Sequence, residues 1–321
     1  IDASNLLIFR AETALEMGDD RKAIQQYLLA YESLAAALDR AAAEQLLLDR
    51  TGNEPSVGAR LLQPATERVT ALYRIGRGLI TAERPEQAIP ILERALEIAA
   101  TASPGAMMEQ SLRLNLALAL ARDLPPASTD ITRLPTYYDV DAWDSDRLRT
   151  VARIVGLAQQ GVALDPTANA SVQAGRIMLL VGHTAVAVGY LEHAMESDPL
   201  APESYLVLGA FYEQSGAVST AREVYKAGAD LLPADPALAT AYAIAVYKSM
   251  PPDIALPVLE QTAGMQKLSD PFVFAALGDC YLDLGRPGHA RAAYEQGLDL
   301  FPGTVALIRR LALLPGHHLL P

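Results

Sequence analysis

The chain has a single cysteine, Cys280, and a single tryptophan, Trp143. One thiol excludes any intrachain disulfide, so this fold cannot lean on cross-links. Lysine is nearly as scarce: only Lys22, Lys226, Lys248 and Lys267 occur, and the net charge over 321 residues is −12. A backbone binder of nucleic acid needs a basic stripe, and none is present. The preference for arginine over lysine fits a GC-rich bacterial coding sequence. No apolar run approaches the ~20 residues of a membrane-spanning helix. Motifs that carry chemistry are missing as well. There is no G-x-S-x-G, no phosphate-cradling glycine loop and no H-E-x-x-H. The histidines His183, His193, His317 and His318 have no carboxylate partners at ligand spacing, so no metal, cofactor or catalytic residue is expected.

What the chain has is repetition. In Pro271 to Pro302, Phe274, Leu277, Gly278 and Tyr281 form one helical stripe, and Ala290, Tyr294 and Gly297 form a second before Pro302. In Pro202 to Pro233 the same places hold Tyr205, Leu208, Gly209, Tyr212, Ala221, Tyr225 and Gly228. Small residues at Gly209, Gly278, Ala221 and Ala290 predict two helix axes in close approach, with the tyrosines filling the space around them. Gly216 and Gly285 predict left-handed turns that end the first helix. Pro287 sits at the start of the next helix, and Pro233 and Pro302 stop the second.

This pattern resembles the tetratricopeptide repeat, a 34-residue helix–turn–helix unit. The resemblance implies an all-α fold, a right-handed α-solenoid of about seven units, some degenerate. Residues 1–122 hold N-terminal repeats, 123–146 an inserted loop, 147–302 regular repeats, and 303–321 a terminal helix and tail. The early units start at Ser4 and Val69, and a first helix runs from Ala106 to Arg122. The insertion falls between that helix and its partner, which resumes near Asp146. The second helix of the first unit reads as one long helix to about Asp49 or as two with a kink. The final helix, about Val305 to Leu314, has Ile308, Leu311 and Ala312 in the core places of a first helix and no second helix after it.

In proteins of this family the first helices line a groove that takes an extended peptide or a partner helix. Carried onto this sequence, the groove positions are Tyr73, Arg74, Arg77, Gln173, Arg176, Tyr247, Asp279 and Asp283. They make the groove basic in its N-terminal half and acidic or apolar toward the C-terminus, a polarity that would orient a complementary ligand. The lysine and asparagine set with which some relatives grip a chaperone's C-terminal carboxylate is absent. The insertion offers Tyr137, Tyr138 and Trp143 among aspartates, either as partner contacts or as internal packing. The terminal helix offers Leu307, Leu311 and Leu314 for self-association, hence a homodimer, or for cover by the tail.

The expectation is a non-enzymatic scaffold or adaptor that binds a protein or peptide partner. The alternative is the regulatory or targeting arm of a larger enzyme or envelope machine, such as polysaccharide export, pilus assembly or a glycosyltransferase. The chain opens on Ile1 rather than Met, so an upstream signal, anchor or domain is open, and so is the choice between cytoplasm and periplasm.

Overall fold

The computed structural model describes residues 3–51, 65–124, 145–265, 267–268 and 270–314. Among these residues there are fifteen α-helices and no strand. They divide into two compact units, one running to Ala187 and the other from Val188.

The N-terminal unit contains α1 (Ala3–Glu16), α2 (Asp20–Thr51), α3 (Ala65–Thr81), α4 (Pro85–Ala102), α5 (Ala106–Asp123), α6 (Ser145–Leu164) and α7 (Ala168–Leu180), and ends inside α8 (Thr184–Ser197). The C-terminal unit continues with α9 (Pro202–Gln214), α10 (Val218–Leu231), α11 (Pro236–Ser249), α12 (Pro252–Ala263), α13 (Phe272–Asp283), α14 (Pro287–Leu300) and α15 (Val305–Ala312). The helices pack as hairpins: α1 on α2, α3 on α4 and α5 on α6 in one unit, α9 on α10, α11 on α12 and α13 on α14 in the other. Second helices also pack on the following first helix: α2 on α3, α4 on α5, α6 on α7, α10 on α11, α12 on α13 and α14 on α15.

Local chemistry places the ends of these helices. Asp19 accepts the Lys22 amide at 3.1 Å, Thr167 that of Ala170 at 3.2 Å, and Asp235 that of Leu238 at 2.8 Å, each satisfying a donor the first turn leaves open. Pro85, Pro202, Pro236, Pro252 and Pro287 begin their helices, where a missing N–H costs nothing. Gly216 and Gly285 turn the first helix with φ of 81° and 69°, as the spacing predicts. The second helix of the first hairpin is a single helix through Thr51. α4 and α12 each carry a proline in their interior, Pro90 and Pro257.

The close approach predicted at the glycines is present. A Cβ on Gly209 would enter the Tyr225 ring, and one on Gly278 the Tyr294 ring. A second set of glycines joins successive repeats. A Cβ on Gly228 would lie 2.8 Å from Tyr205 and 2.9 Å from Leu238, and one on Gly297 would lie 2.7 Å from both Phe274 and Leu307. Leu307 therefore fills the core place of α15, one residue before the Ile308 that spacing assigned to it, and Ile308 is exposed. The helix begins at Val305, as expected, and it is the core register that differs by one residue.

Candidate partner-binding face of the first helices

The second helices carry tyrosines whose rings are buried and whose hydroxyls reach the far side of the first helices. Tyr294 is fully buried, yet its hydroxyl donates to Asp279 Oδ1 at 2.7 Å. Tyr247 donates to Oδ2 of the same carboxylate at 3.4 Å. Arg310 of α15 closes the cluster, with Nε at 2.9 and 3.0 Å from the two oxygens and Nη2 at 2.9 Å. Two hairpins earlier the motif recurs: Glu213 accepts from the Tyr225 hydroxyl at 3.2 Å and from Lys248 Nζ at 2.9 Å. In both places a carboxylate on one first helix meets a cation on the next, with a tyrosine beneath it.

Burial pushes the Tyr294 and Tyr225 phenols well up, and the adjacent carboxylates add to the effect. Tyr247 moves the same way, by burial and then by Asp279. The hydrogen bonds to Asp279 raise Arg310 further. Cys280, next to this cluster, is buried, and that burial lifts its thiol to about 11, so it is inert packing.

Among the described residues the N-terminal unit shows one such pair. Arg74 of α3 grips Glu12 of α1 with both arms, Nε to Oε1 at 3.0 Å and Nη2 to Oε2 at 2.6 Å. The tyrosine beneath is Tyr27 of α2, and its ring lies on Gly78 of the next repeat. Burial, with Glu12 assisting, lifts its phenol to about 12, against the pull of Arg74 and Arg77. Arg77, one turn after Arg74, is exposed and has no ion pair among the described residues. Tyr73 is half-buried, Gln173 donates to Asn169 at 3.2 Å, and Arg176 is exposed.

The residues assigned to the groove by spacing thus fall into two groups. Arg74 and Asp279 are held by partners inside the chain, whereas Tyr73, Arg77 and Asp283 present surface. Sequence spacing missed Glu12, Arg310 and the tyrosine hydroxyls, because their partners lie 62, 31 and 15 residues away. The terminal helix needs a correction. Leu307 and Leu314 are buried in the core of their own unit, with Leu311 packed against it, so they offer no open face. Its large exposed apolar side chains are Val305 and Ile308, with Leu313 exposed just past its end. Tyr137, Tyr138 and Trp143 lie outside the described residues.

Hairpins of this size, glycine-packed and tied from one first helix to the next, define a helical-repeat protein. Family models described as tetratricopeptide repeat match residues 69–101, 175–236 and 271–314, and the chain belongs to that repeat family. Solved structures with similar backbones include Pseudomonas aeruginosa PilF, from a study of its functional characterisation. It is 17% identical, with a TM-score of 0.48, over 78% of this chain and 99% of that one. PilW, described as a widely conserved type IV pilus biogenesis factor, is 14% identical, with a TM-score of 0.49, over 76% and 98%. A tetratricopeptide repeat protein from Parabacteroides merdae is 10% identical, with a TM-score of 0.46, over 97% and 98%. No curated protein sequence matches. Among the described residues no helix is long and apolar enough to cross a membrane, and no cluster of three metal-ligating side chains occurs.

Proposed function

We propose that the chain is a non-catalytic protein-interaction scaffold whose first-helix face takes an extended peptide segment, and that in the N-terminal unit this segment is acidic. The observation that carries the reading is Arg77. It is exposed and without an ion pair among the described residues, while its neighbour Arg74 is immobilised by Glu12. Tyr73 and Arg77 are four residues apart and share a face, so an aromatic surface stands beside an open guanidinium. That combination suits a peptide carboxylate bound bidentately next to an apolar side chain. Gln173 and Arg176 extend the face along α7. Tyr247 and Asp283 give the C-terminal unit a different, acidic and aromatic, preference. Arg74 and Asp279 serve this face by holding adjacent first helices in place. A net charge of −12 argues against nucleic acid as the partner.

A displayed library of unstructured peptides, panned against the wild-type chain and against Arg77→Glu, tests this. Acidic sequences are expected to be enriched by the wild type and to bind the variant at least about tenfold more weakly, a difference of roughly 1.4 kcal/mol. Equal enrichment of the same peptides by a folded Arg77→Glu variant overturns the reading.

A further inference from the structure

Tyr27, Tyr225 and Tyr294 are buried tyrosines of second helices, and two of them have a carboxylate to hold. Tyr225 donates to Glu213 at 3.2 Å and Tyr294 to Asp279 at 2.7 Å. Tyr27 has none. Its side chain is 1% exposed, yet its hydroxyl makes no hydrogen bond among the described residues and is not sealed from solvent. A buried tyrosine normally finds a partner for its O–H, so the open end calls for an acceptor. Glu12 does not serve, because Arg74 holds both of its oxygens, at 3.0 and 2.6 Å.

The charges around the three hydroxyls differ in the same way. At Tyr294 one carboxylate, Asp279, meets one cation, Arg310, and at Tyr225 Glu213 meets Lys248. At Tyr27 one carboxylate stands with two guanidiniums: Glu12, Arg74 and Arg77 all act on its ionisation. The packing explains this. A Cβ on Gly78 would lie 2.4 Å from the Tyr27 hydroxyl oxygen, so the hydroxyl rests on the backbone of the residue that follows Arg77. At about 100° per residue, Arg74, Arg77 and Gly78 fall within about 100° of arc on α3. Arg77 is exposed and has no ion pair among the described residues. The place lacks one negative charge and one hydrogen-bond acceptor, and a single group can supply both.

We propose that a carboxylate side chain of the bound peptide seats there, accepting the Tyr27 O–H and pairing with the Arg77 guanidinium. It stands where Asp279 stands within the chain, between Tyr294 and Arg310. The inference rests on the acidic-peptide reading above and gives that peptide its anchor. A carboxylate suits the place better than a doubly charged phosphate, since the deficit is one charge and the chain's own copies of the motif use carboxylates.

Fluorescence anisotropy with two labelled peptides, hexaglutamate and hexaglutamine, both blocked at their ends, tests this on the full chain. The wild type is expected to prefer hexaglutamate. Tyr27→Phe keeps every charge, and is expected to bind hexaglutamate about tenfold more weakly, for the loss of one hydrogen bond to a charged group. Tyr294→Phe, whose hydroxyl is engaged inside the chain, is expected to bind as the wild type does. Thermal midpoints at neutral pH without peptide should rank the other way: Tyr294→Phe loses a bond to Asp279 and falls, whereas Tyr27→Phe loses none and holds. In protein carrying carbon-13 at Cζ of its tyrosines, the resonance missing from Tyr27→Phe is expected to shift when hexaglutamate is added. No preference for hexaglutamate overturns this proposal together with the acidic-peptide reading. A preference that Arg77→Glu removes and Tyr27→Phe leaves intact overturns this proposal alone. So does a Tyr27 resonance that stays in place while the peptide binds.

Discussion

The two units use the same parts differently. In the C-terminal unit Tyr225 lies on Gly209 and Tyr294 on Gly278, each a glycine of the same hairpin, and each hydroxyl holds the carboxylate that reaches the next repeat. In the N-terminal unit Tyr27 crosses to Gly78 of the following repeat, and the glycine of that repeat's own hairpin, Gly76, faces Leu92 instead. The N-terminal joint is therefore made by the ring together with the Arg74–Glu12 pair, and the C-terminal joints by an ionic cluster standing on the ring. Both joints close an arginine onto a carboxylate, Arg74 onto Glu12 and Arg310 onto Asp279, and Arg77 stays exposed one turn after the first.

The largest effect that would sharpen this contrast is steric. Gly278→Val drives a branched side chain into the buried Tyr294 ring and is expected to destabilise the C-terminal unit by about 3 kcal/mol, at the upper end for overpacking. Gly76→Ala meets the movable end of Leu92 and is expected to cost less, about 1 kcal/mol. Urea unfolding followed separately in each unit checks the pair, and equal losses would erase the distinction. Next comes charge. Asp279→Ala strands two phenols and a half-buried guanidinium, for about 2 kcal/mol. Glu12→Ala breaks a pair whose two side chains are 36% and 38% exposed, and is expected to cost under about 1 kcal/mol. Equal costs in a urea titration would mean that the two joints are alike. The smallest effect is on pH. The unfolded Tyr27 phenol ionises near 10 and the folded one near 12. The stability tied to its neutral form is therefore complete below pH 10 and lost as pH rises toward 12. Tyr225 and Tyr294 act in the same direction. Tyr27→Phe should flatten the alkaline decline in thermal midpoint, and an unchanged decline would remove Tyr27 from the account.

The helix pairs were legible because their determinants are local. Gly216 and Gly285 in the turns, prolines at helix starts, and a glycine opposite a tyrosine recur at one spacing. Even the interrupted hairpin of α5 and α6 could be read, since both flanks keep the repeat's rhythm. In the terminal helix the start at Val305 was legible but the core place was not, because only the packing of Leu307 on Gly297 sets its register. The face of the first helices was legible as a list of positions and not as a set of contacts. Whether a carboxylate such as Asp279 is open depends on Arg310, a residue of the next repeat whose reach no spacing rule states.

Pro90 and Pro257 have a consequence of their own. Each lies six residues into the second helix of its hairpin and removes one rung of the backbone ladder, leaving the Glu86 and Asp253 carbonyls without that helical donor. Both helices also begin with a proline, at Pro85 and Pro252. Their first turns therefore rest on few backbone bonds: Gln87 and Ala88 donate to the Arg84 carbonyl, and Ile254 and Ala255 to that of Pro251. These two segments are where the native protein should first admit solvent deuterium, so that opening starts inside repeats and need not begin at the ends of the chain.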